Sequence, residues 1–352
     1  MFNLPLDSNY GGNLQRFALI KTLQDLGHEP EHIQIRFVQY KLPIKRKIIE
    51  YPIRLIKKLF NNRQHVFKEK YAYKKYLKNL SKTQLFYDTY VPHTNPCYCK
   101  EDIQKVLNYD FYIIGSDQVW RKRIAGRYLD VFMGSLLPDN VKRVAFAVSF
   151  GTDVNELSIK ETTDYSKLYK KFSAVSVRED SGLDLLDDYG WIEPKAVHLL
   201  DPTFLLKKED YIKITERGEI TEDKPYIFCY ILDISDDKNN IINEISNKAG
   251  LKKKVVSLND DMNIENWLKY INEAELVITD SFHGLVFSII FNKQYILVRN
   301  EFRGNARFDS LLRTFGLKDD GRIVDWNRVN NIIEENKLKA MNFLTMSIQS
   351  SK

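Results

Sequence analysis

Short apolar runs, each closed by a cluster of polar and small residues, alternate along this chain with stretches of helical period. The pattern is clearest at Ala274 to Ile290. There an apolar, β-branched run (Glu275 to Ile278) meets the polar elbow Asp280-Ser281-Phe282-His283-Gly284, and an apolar helix follows. Around it, Tyr226 to Leu232, Lys253 to Ser257 and Gln294 to Val298 read as strands. Lys238 to Ala249, Asn263 to Ile271, Phe308 to Phe315 and a long final stretch from Val329 to Thr345 read as helices. The first half follows the same alternation. Met1 to Asn9 is extended, Asn9-Tyr10-Gly11-Gly12-Asn13 is a turn, and Leu14, Phe17, Ala18 and Leu23 mark a helix stopped by Gly27. His32 to Tyr40, Asp110 to Ile114, Arg143 to Ser149, Ala174 to Val177 and Val197 to Leu200 read as strands, and Ile159 to Phe172 as a helix. Lys207 to Lys224 is charged and poor in apolar residues, and reads as a linker.

This alternation predicts an α/β fold of two Rossmann-like domains facing a cleft, the plan of the GT-B glycosyltransferases. The expected division is residues 1–206, carrying a basic helical insertion at about 41–82, and residues 207–352, carrying the long final helix. Asp117, Ser149, Arg178 and Asp201 all fall at or just past strand ends, where ligands bind in such folds. Gly11 and Gly12 open a helix after a strand, so backbone N–H groups there can approach an anion, although the pattern is not GxGxxG. Asp117 and Gln118 suit sugar hydroxyls, with Trp120 as an apolar platform. His283, at a strand-to-helix elbow, is a candidate general acid or base. The plainer alternative makes Asp280 or Ser281 a helix N-cap.

At 352 residues the chain is long enough for two cores, and no apolar run approaches the length that spans a bilayer. Three cysteines, and no basic n-region followed by an apolar h-region at the N-terminus, point to a reduced, cytoplasmic setting. Cys97-Tyr98-Cys99 has no second Cys/His pair at metal spacing nearby, so no metal site is expected. The net charge of +6 is uneven: Lys41 to Lys82 holds fourteen Lys and Arg against two acids, a local +12. Within it, Pro52 and Asn61-Asn62 are expected to break the helical pattern. Ile48, Ile49, Ile53, Leu55, Ile56 and Leu59 give the first helix an apolar stripe beside its cations. Such a helix either packs on its own domain or lies at the inner face of a membrane.

Five motifs in order carry a family resemblance: Asn9-Tyr10-Gly11-Gly12-Asn13-Leu14-Gln15, Gly115-Ser116-Asp117-Gln118-Val119-Trp120, Ser176-Val177-Arg178-Glu179-Asp180-Ser181-Gly182, Leu200-Asp201-Pro202-Thr203 and Thr279-Asp280-Ser281-Phe282-His283-Gly284. From about Asn9 to Gly316 the chain resembles the polysaccharide pyruvyl transferases. The resemblance implies transfer of pyruvate from phosphoenolpyruvate to a sugar of a cell-surface polysaccharide or its lipid-linked precursor, giving a cyclic ketal. It implies no cofactor beyond this donor substrate, and no nucleic acid partner. It makes His283 the acid/base and gives Asp117 the acceptor hydroxyl. Arg178, Arg303, Arg307, Ser281, Gly11, Gly12 and Gln118 are then the substrate-binding residues. One departure stands out: better-studied members carry Arg, expected to bind phosphoenolpyruvate, where this chain has Ser281, so Arg303 and Arg307 are expected to take that task. A glycosyltransferase using a nucleotide sugar fits the same fold, and a binding protein acting through the basic segment is a third reading.

Overall fold

The computed structural model describes residues 1–60, 65–299, 304–319, 321 and 323–349. It is α/β, with two parallel four-stranded sheets. The first comprises β1 (Phe111–Ile114), β2 (Lys142–Val148), β3 (Ala174–Val177) and β4 (Val197–His198), paired in that order. The second comprises β5 (Tyr226–Tyr230), β6 (Lys252–Val256), β7 (Leu276–Thr279) and β8 (Gln294–Leu297), in the order β6-β5-β7-β8. Parallel strands covered on both faces need apolar side chains on both. Tyr226, Ile227, Phe228, Cys229 and Tyr230 of β5 are accordingly all buried.

Backbone hydrogen bonds extend the first sheet beyond β1. Phe2 N donates to Ile113 O (2.8 Å), Leu6 N to Ile35 O (2.9 Å) and Cys97 N to Gln34 O (2.8 Å). The bridges at Phe2, His32 and Ile35 are all parallel. The spatial order is therefore 92–97, 32–36, 1–6, β1, β2, β3, β4. Chain order reverses between 1–6 and β1, as it does between β5 and β7 in the second sheet. Such reversals leave a crevice at the carboxyl ends of the strands. The helix α1 (Tyr10–Asp25) leaves the first of these points, with Asn9 as its cap, accepting from Gly12 N at 3.1 Å. The elbow helix Phe282–Ile290, buried along its whole length, leaves the second.

The two halves share one continuous apolar core that includes Leu14, Phe146, Phe204, Trp267, Leu285 and Leu344. The final helix, Trp326–Gln349, runs back onto the first half. There Phe343 meets Phe146 with ring centroids 6.1 Å apart, and Lys142 Nζ donates to Ile348 O at 3.0 Å.

Three sequence expectations are corrected. The stretch read as a linker contains a helix, Lys208–Thr215, with Tyr211 and Ile214 buried. Two apolar residues at i and i+3 are enough to seat two turns of helix when neighbouring elements supply the rest of the contact. Pro52 does not interrupt α2 (Ile44–Phe60), which continues through it. The run from His32 pairs only at its start, and Phe37, Val38 and Tyr40 are exposed. A second basic helix, α3 (Lys68–Tyr90), follows α2 and ends eight residues past Lys82.

Candidate functional site

The two sheet reversals face one another across a cleft of about 420 Å³. Its walls come from both halves: Asp7, Asn9, Gly11, Asp117 and Gln118 on one side, Tyr230, Trp267, Ser281, Phe282 and His283 on the other.

The elbow that presents His283 is tied down by its own side chains. Thr279 Oγ1 donates to Tyr230 O (2.8 Å) and accepts from Ser281 N (3.0 Å). The Asp280 carboxylate accepts from the backbone of Leu232 (2.6 Å) and Asp233 (3.2 Å) and from Lys238 Nζ (2.6 Å), which locks β7 to the end of β5. Ser281 is the helix N-cap, its Oγ accepting from Gly284 N at 3.3 Å. The plainer role of Ser281 is therefore present in the structure, and the residue also lines the cleft.

His283 lies directly on the backbone of Gly11. A methyl group built at Gly11 falls 1.9 Å from both Cγ and Nδ1 of the imidazole. This is why the turn opening α1 needs glycine at that place: the catalytic candidate of one half rests on the first helical turn of the other. Gly12 differs, since the nearest atoms to a Cβ there belong to the Asn9 cap, the first at 3.2 Å. A test follows for Gly11→Ala. Alanine is the better helix former by about 0.5–1 kcal/mol, so α1 by itself gains stability. The substitution is nonetheless expected to displace His283 and to reduce turnover about as far as loss of the imidazole does. In Gly11→Ala combined with His283→Ala the clash is gone, so the double variant should be no less active than either single one and more stable than Gly11→Ala. Independent, additive losses in steady-state rate would count against the contact.

Behind the histidine lies a buried ionic cluster. His283 Nε2 is 3.4 Å from Asp201 Oδ2. The same oxygen accepts from Arg178 Nη1 at 2.9 Å and from Gln15 Nε2, whose position on the second turn of α1 links the cluster to the first motif. Asp201 Oδ1 accepts from the Thr203 backbone and hydroxyl, as cap of the turn after β4. Arg178 Nη2 reaches Asp117 Oδ1 at 3.4 Å, and Asp117 Oδ2 accepts from Asn9 Nδ2 at 3.2 Å. Asp117 holds a left-handed conformation, φ 74°, pinned by Gln118 N on its carboxylate and by Ser149 N on its carbonyl. Strain of this kind persists where surroundings over-determine it. Glu179 closes the cluster from below, Oε1 accepting from Ser149 Oγ and from the Phe150 and Gly151 backbone.

Burial by itself raises the carboxyl pKa of Asp117 and Asp201. The nearby cations outweigh it: Arg178, His283 and Arg307 hold Asp117 below the ordinary carboxylate value, and His283 and Arg178 hold Asp201 lower still. Because the folded values lie below the unfolded ones, the unfolded chain binds protons first as pH falls. The stability these groups contribute is present above about pH 4 and disappears as pH drops through the folded values. The denaturation midpoint is therefore expected to fall steeply below about pH 4, and Asp201→Asn to flatten that slope. An unchanged slope in the variant would contradict the pairing.

The cations sort into two kinds. Arg178 has 1% of its side chain exposed and holds two carboxylates. Arg307 lines the cleft, with its guanidinium 5.3 Å from the Phe282 ring centre; Arg178 approaches the same ring at 4.8 Å. Burial and the neighbouring Arg178 and Arg121 lower the Arg307 pKa to about 10, so it stays charged at neutral pH. Arg121 and Arg123 also line the cleft, Arg121 fixed by Gln118 Oε1 (2.8 Å) and Glu156 Oε1 (3.1 Å). Carboxylates belong to the lining as well: Asp7 from the first half, Asp233 and Asp280 from the second. Arg303, the other expected anion ligand, lies outside the described residues.

Trp120 is corrected. Rather than a sugar platform it is a core residue, packed edge-on or tilted among Phe150, Phe172 and Trp191, with Nε1 donating to Phe132 O at 3.1 Å. Sequence reasoning placed Asp201 at a strand end but gave it no role, and passed over Gln15, Glu179 and Arg121. The first three of these sit inside the motifs already singled out. Only Arg121 follows its motif, by one residue, and no local pattern marks it. Among the described residues, no group of three or more His, Cys, Asp or Glu is arranged to hold a metal ion.

Comparison with curated proteins finds no match. Comparison with family models matches the polysaccharide pyruvyl transferase model over residues 9–301, a span that opens at the Asn9 cap and takes in the buried cluster and the His283 elbow. The chain therefore belongs to the polysaccharide pyruvyl transferase family, and is a transferase.

Proposed function

We propose that the cleft transfers pyruvate from phosphoenolpyruvate to two hydroxyls of a sugar in a cell-surface polysaccharide or its lipid-linked precursor. The observation that carries this reading is His283, seated on Gly11 and backed by Asp201, in a cleft lined by Arg121, Arg123 and Arg307. Phosphoenolpyruvate bears a phosphate and a carboxylate, which suit forked guanidinium donors. Arg307, with Arg121 and Arg123 beside it, supplies the charge that the family finds at the position of Ser281. The carboxylates and aromatic rings that also line the cleft suit a sugar.

The proposed chemistry balances without a cofactor. His283 gives a proton to the methylene carbon of the enol, and one acceptor hydroxyl attacks the carbon bearing the phosphate, returning its proton to His283. The C–O bond to phosphate breaks, the second hydroxyl closes the ketal, and its proton leaves with the phosphate. Asp201, 3.4 Å from Nε2, orients the imidazole. A carboxylate held below its ordinary pKa is a poor base, so Asp117 is proposed to orient the acceptor hydroxyl rather than deprotonate it. We further propose a GT-B-like division into residues 1–206 and 207–352, and a site of action at the cytoplasmic side. No helix among the described residues is long and apolar enough to cross a membrane.

The test is incubation with phosphoenolpyruvate and candidate glycan intermediates, read by phosphate release and by mass spectrometry of the glycan. Phosphate release matched by a pyruvylated product is the expected result. Stabilisation of the protein by UDP- or GDP-sugars, with none by phosphoenolpyruvate, would instead favour a glycosyltransferase.

A further inference from the structure

The basic segment forms a hairpin of two helices, α2 and α3, and α2 has no buried residue. Ile44, Ile48, Ile49, Ile56, Leu59 and Phe60 share one broad face of it, and all are exposed, Ile48 by 70%, Leu59 by 80% and Phe60 by 88%. The opposite face carries Arg46, Lys47, Arg54, Lys57 and Lys58. Arg54 turns inward, holding Glu50 and, at 2.8 Å, Glu69 on α3, so the ion pairs tie the hairpin together while the apolar face points away from it. Surface helices of globular proteins bury such a stripe; this one does not.

We infer that this face docks on the surface of an anionic bilayer, with α2 lying in the interfacial plane. Charge selects the occupant. Residues 41–82 carry fourteen cations and two acids, so a second copy of the same hairpin would be repelled, whereas acidic lipid headgroups are complementary. The anchoring of α3 gives the contact a purpose. Its buried residues all lie between Leu80 and Tyr87. There Lys82 Nζ donates to the carbonyls of Leu258 (3.2 Å) and Asp260 (2.7 Å), and Thr83 Oγ1 to the carbonyl of Asp7 (3.1 Å). Leu258 and Asp7 line the cleft. The hairpin is thus rooted at the cleft rim, and α3 extends from Lys82 back to Lys68, roughly 20 Å at helical rise. A bilayer-docked α2 holds the cleft at a short, fixed height above the headgroups, within reach of a sugar carried on a membrane lipid. The docking itself stands whichever donor the cleft takes.

The test is sedimentation of the full chain with vesicles of phosphatidylcholine and phosphatidylglycerol, or of phosphatidylcholine alone. Binding is expected to the anionic vesicles at low salt and to be lost at high salt. Ile48→Glu with Leu59→Glu should abolish it. Reversing Lys45, Lys47, Lys57 and Lys58 to Glu should weaken it by about fivefold or more per residue. Because none of these side chains is buried, melting temperature should hold, and turnover with a soluble acceptor should not change. In a separate Leu59→Trp chain, the indole emission should shift to the blue on adding anionic vesicles. Absence of sedimentation with anionic vesicles at low salt overturns the inference. So does a dimer in sedimentation equilibrium that Ile48→Glu with Leu59→Glu converts to monomer, since a second copy would then cover the face.

Discussion

Replacing His283 by Ala is expected to lower phosphate release from phosphoenolpyruvate, with acceptor present, by about 10²–10⁴-fold, the usual contribution of a positioned acid or base. Loss of rate with the fold intact is what the geometry requires. The elbow is held by Thr279, Asp280 and Ser281, none of which relies on the imidazole. Asp201 keeps Arg178 and the Thr203 backbone when His283 is gone, so no carboxylate is stranded. A circular-dichroism melt should therefore change little while the rate collapses. His283→Gln keeps much of the volume against Gly11 and has no titratable nitrogen, so it should be as inactive as the alanine variant. Turnover within a few-fold of the native rate in either protein would remove His283 from the chemistry. The rate at saturating phosphoenolpyruvate is the better readout, because a binding role alone would be overcome by excess donor.

Arg178→Ala should act on stability first. Its guanidinium sits between Asp201 and Asp117, with Glu179 3.9 Å away, and all three carboxylates are buried. Removing one partner of a buried ion pair costs about 3–5 kcal/mol, because the charges left behind have neither water nor counter-charge. Chemical denaturation should show a loss of that order, and Arg178→Lys should recover part of it, since a single ammonium cannot reach both carboxylates with forked geometry. Arg178→Ala with Asp201→Asn should be less destabilised than the sum of the two changes, because each removes the other's unpaired charge. If Arg178 instead serves mainly to bind the donor anion, the alanine variant will keep its stability and show only a raised KM. The two results are separable in one preparation.

Much of the architecture was legible along the chain. The strand runs of the second half fall within a residue or two of their expected ends, because parallel strands buried on both faces must be apolar throughout. His283, Asp117 and Gly11 could be chosen because each follows an apolar run, where an α/β sheet presents its carboxyl edge. The extent of pairing from His32 onward was not legible. Alternating residues allow a strand, but pairing depends on a neighbour, and 1–6 and 92–97 supply one only as far as Arg36. Trp120 misled for a related reason: a large aromatic after a polar turn can face a ligand or the core, and only the packing of Phe150, Phe172 and Trp191 decides.

The sequence by itself determined the class of fold, the strand ends where polar groups gather, and the amphipathic character of α2, since periodicity and residue type are local properties. Tertiary structure alone decided what met what. It set His283 on Gly11 across 272 positions of chain and behind it placed Asp201, Arg178 and Gln15 from three different motifs. It also left the apolar face of α2 without cover. The physical reason is the same in each case. A side chain's chemistry depends on its charge, its exposure and the atoms within a few ångströms, and those neighbours come from parts of the chain that no local pattern links.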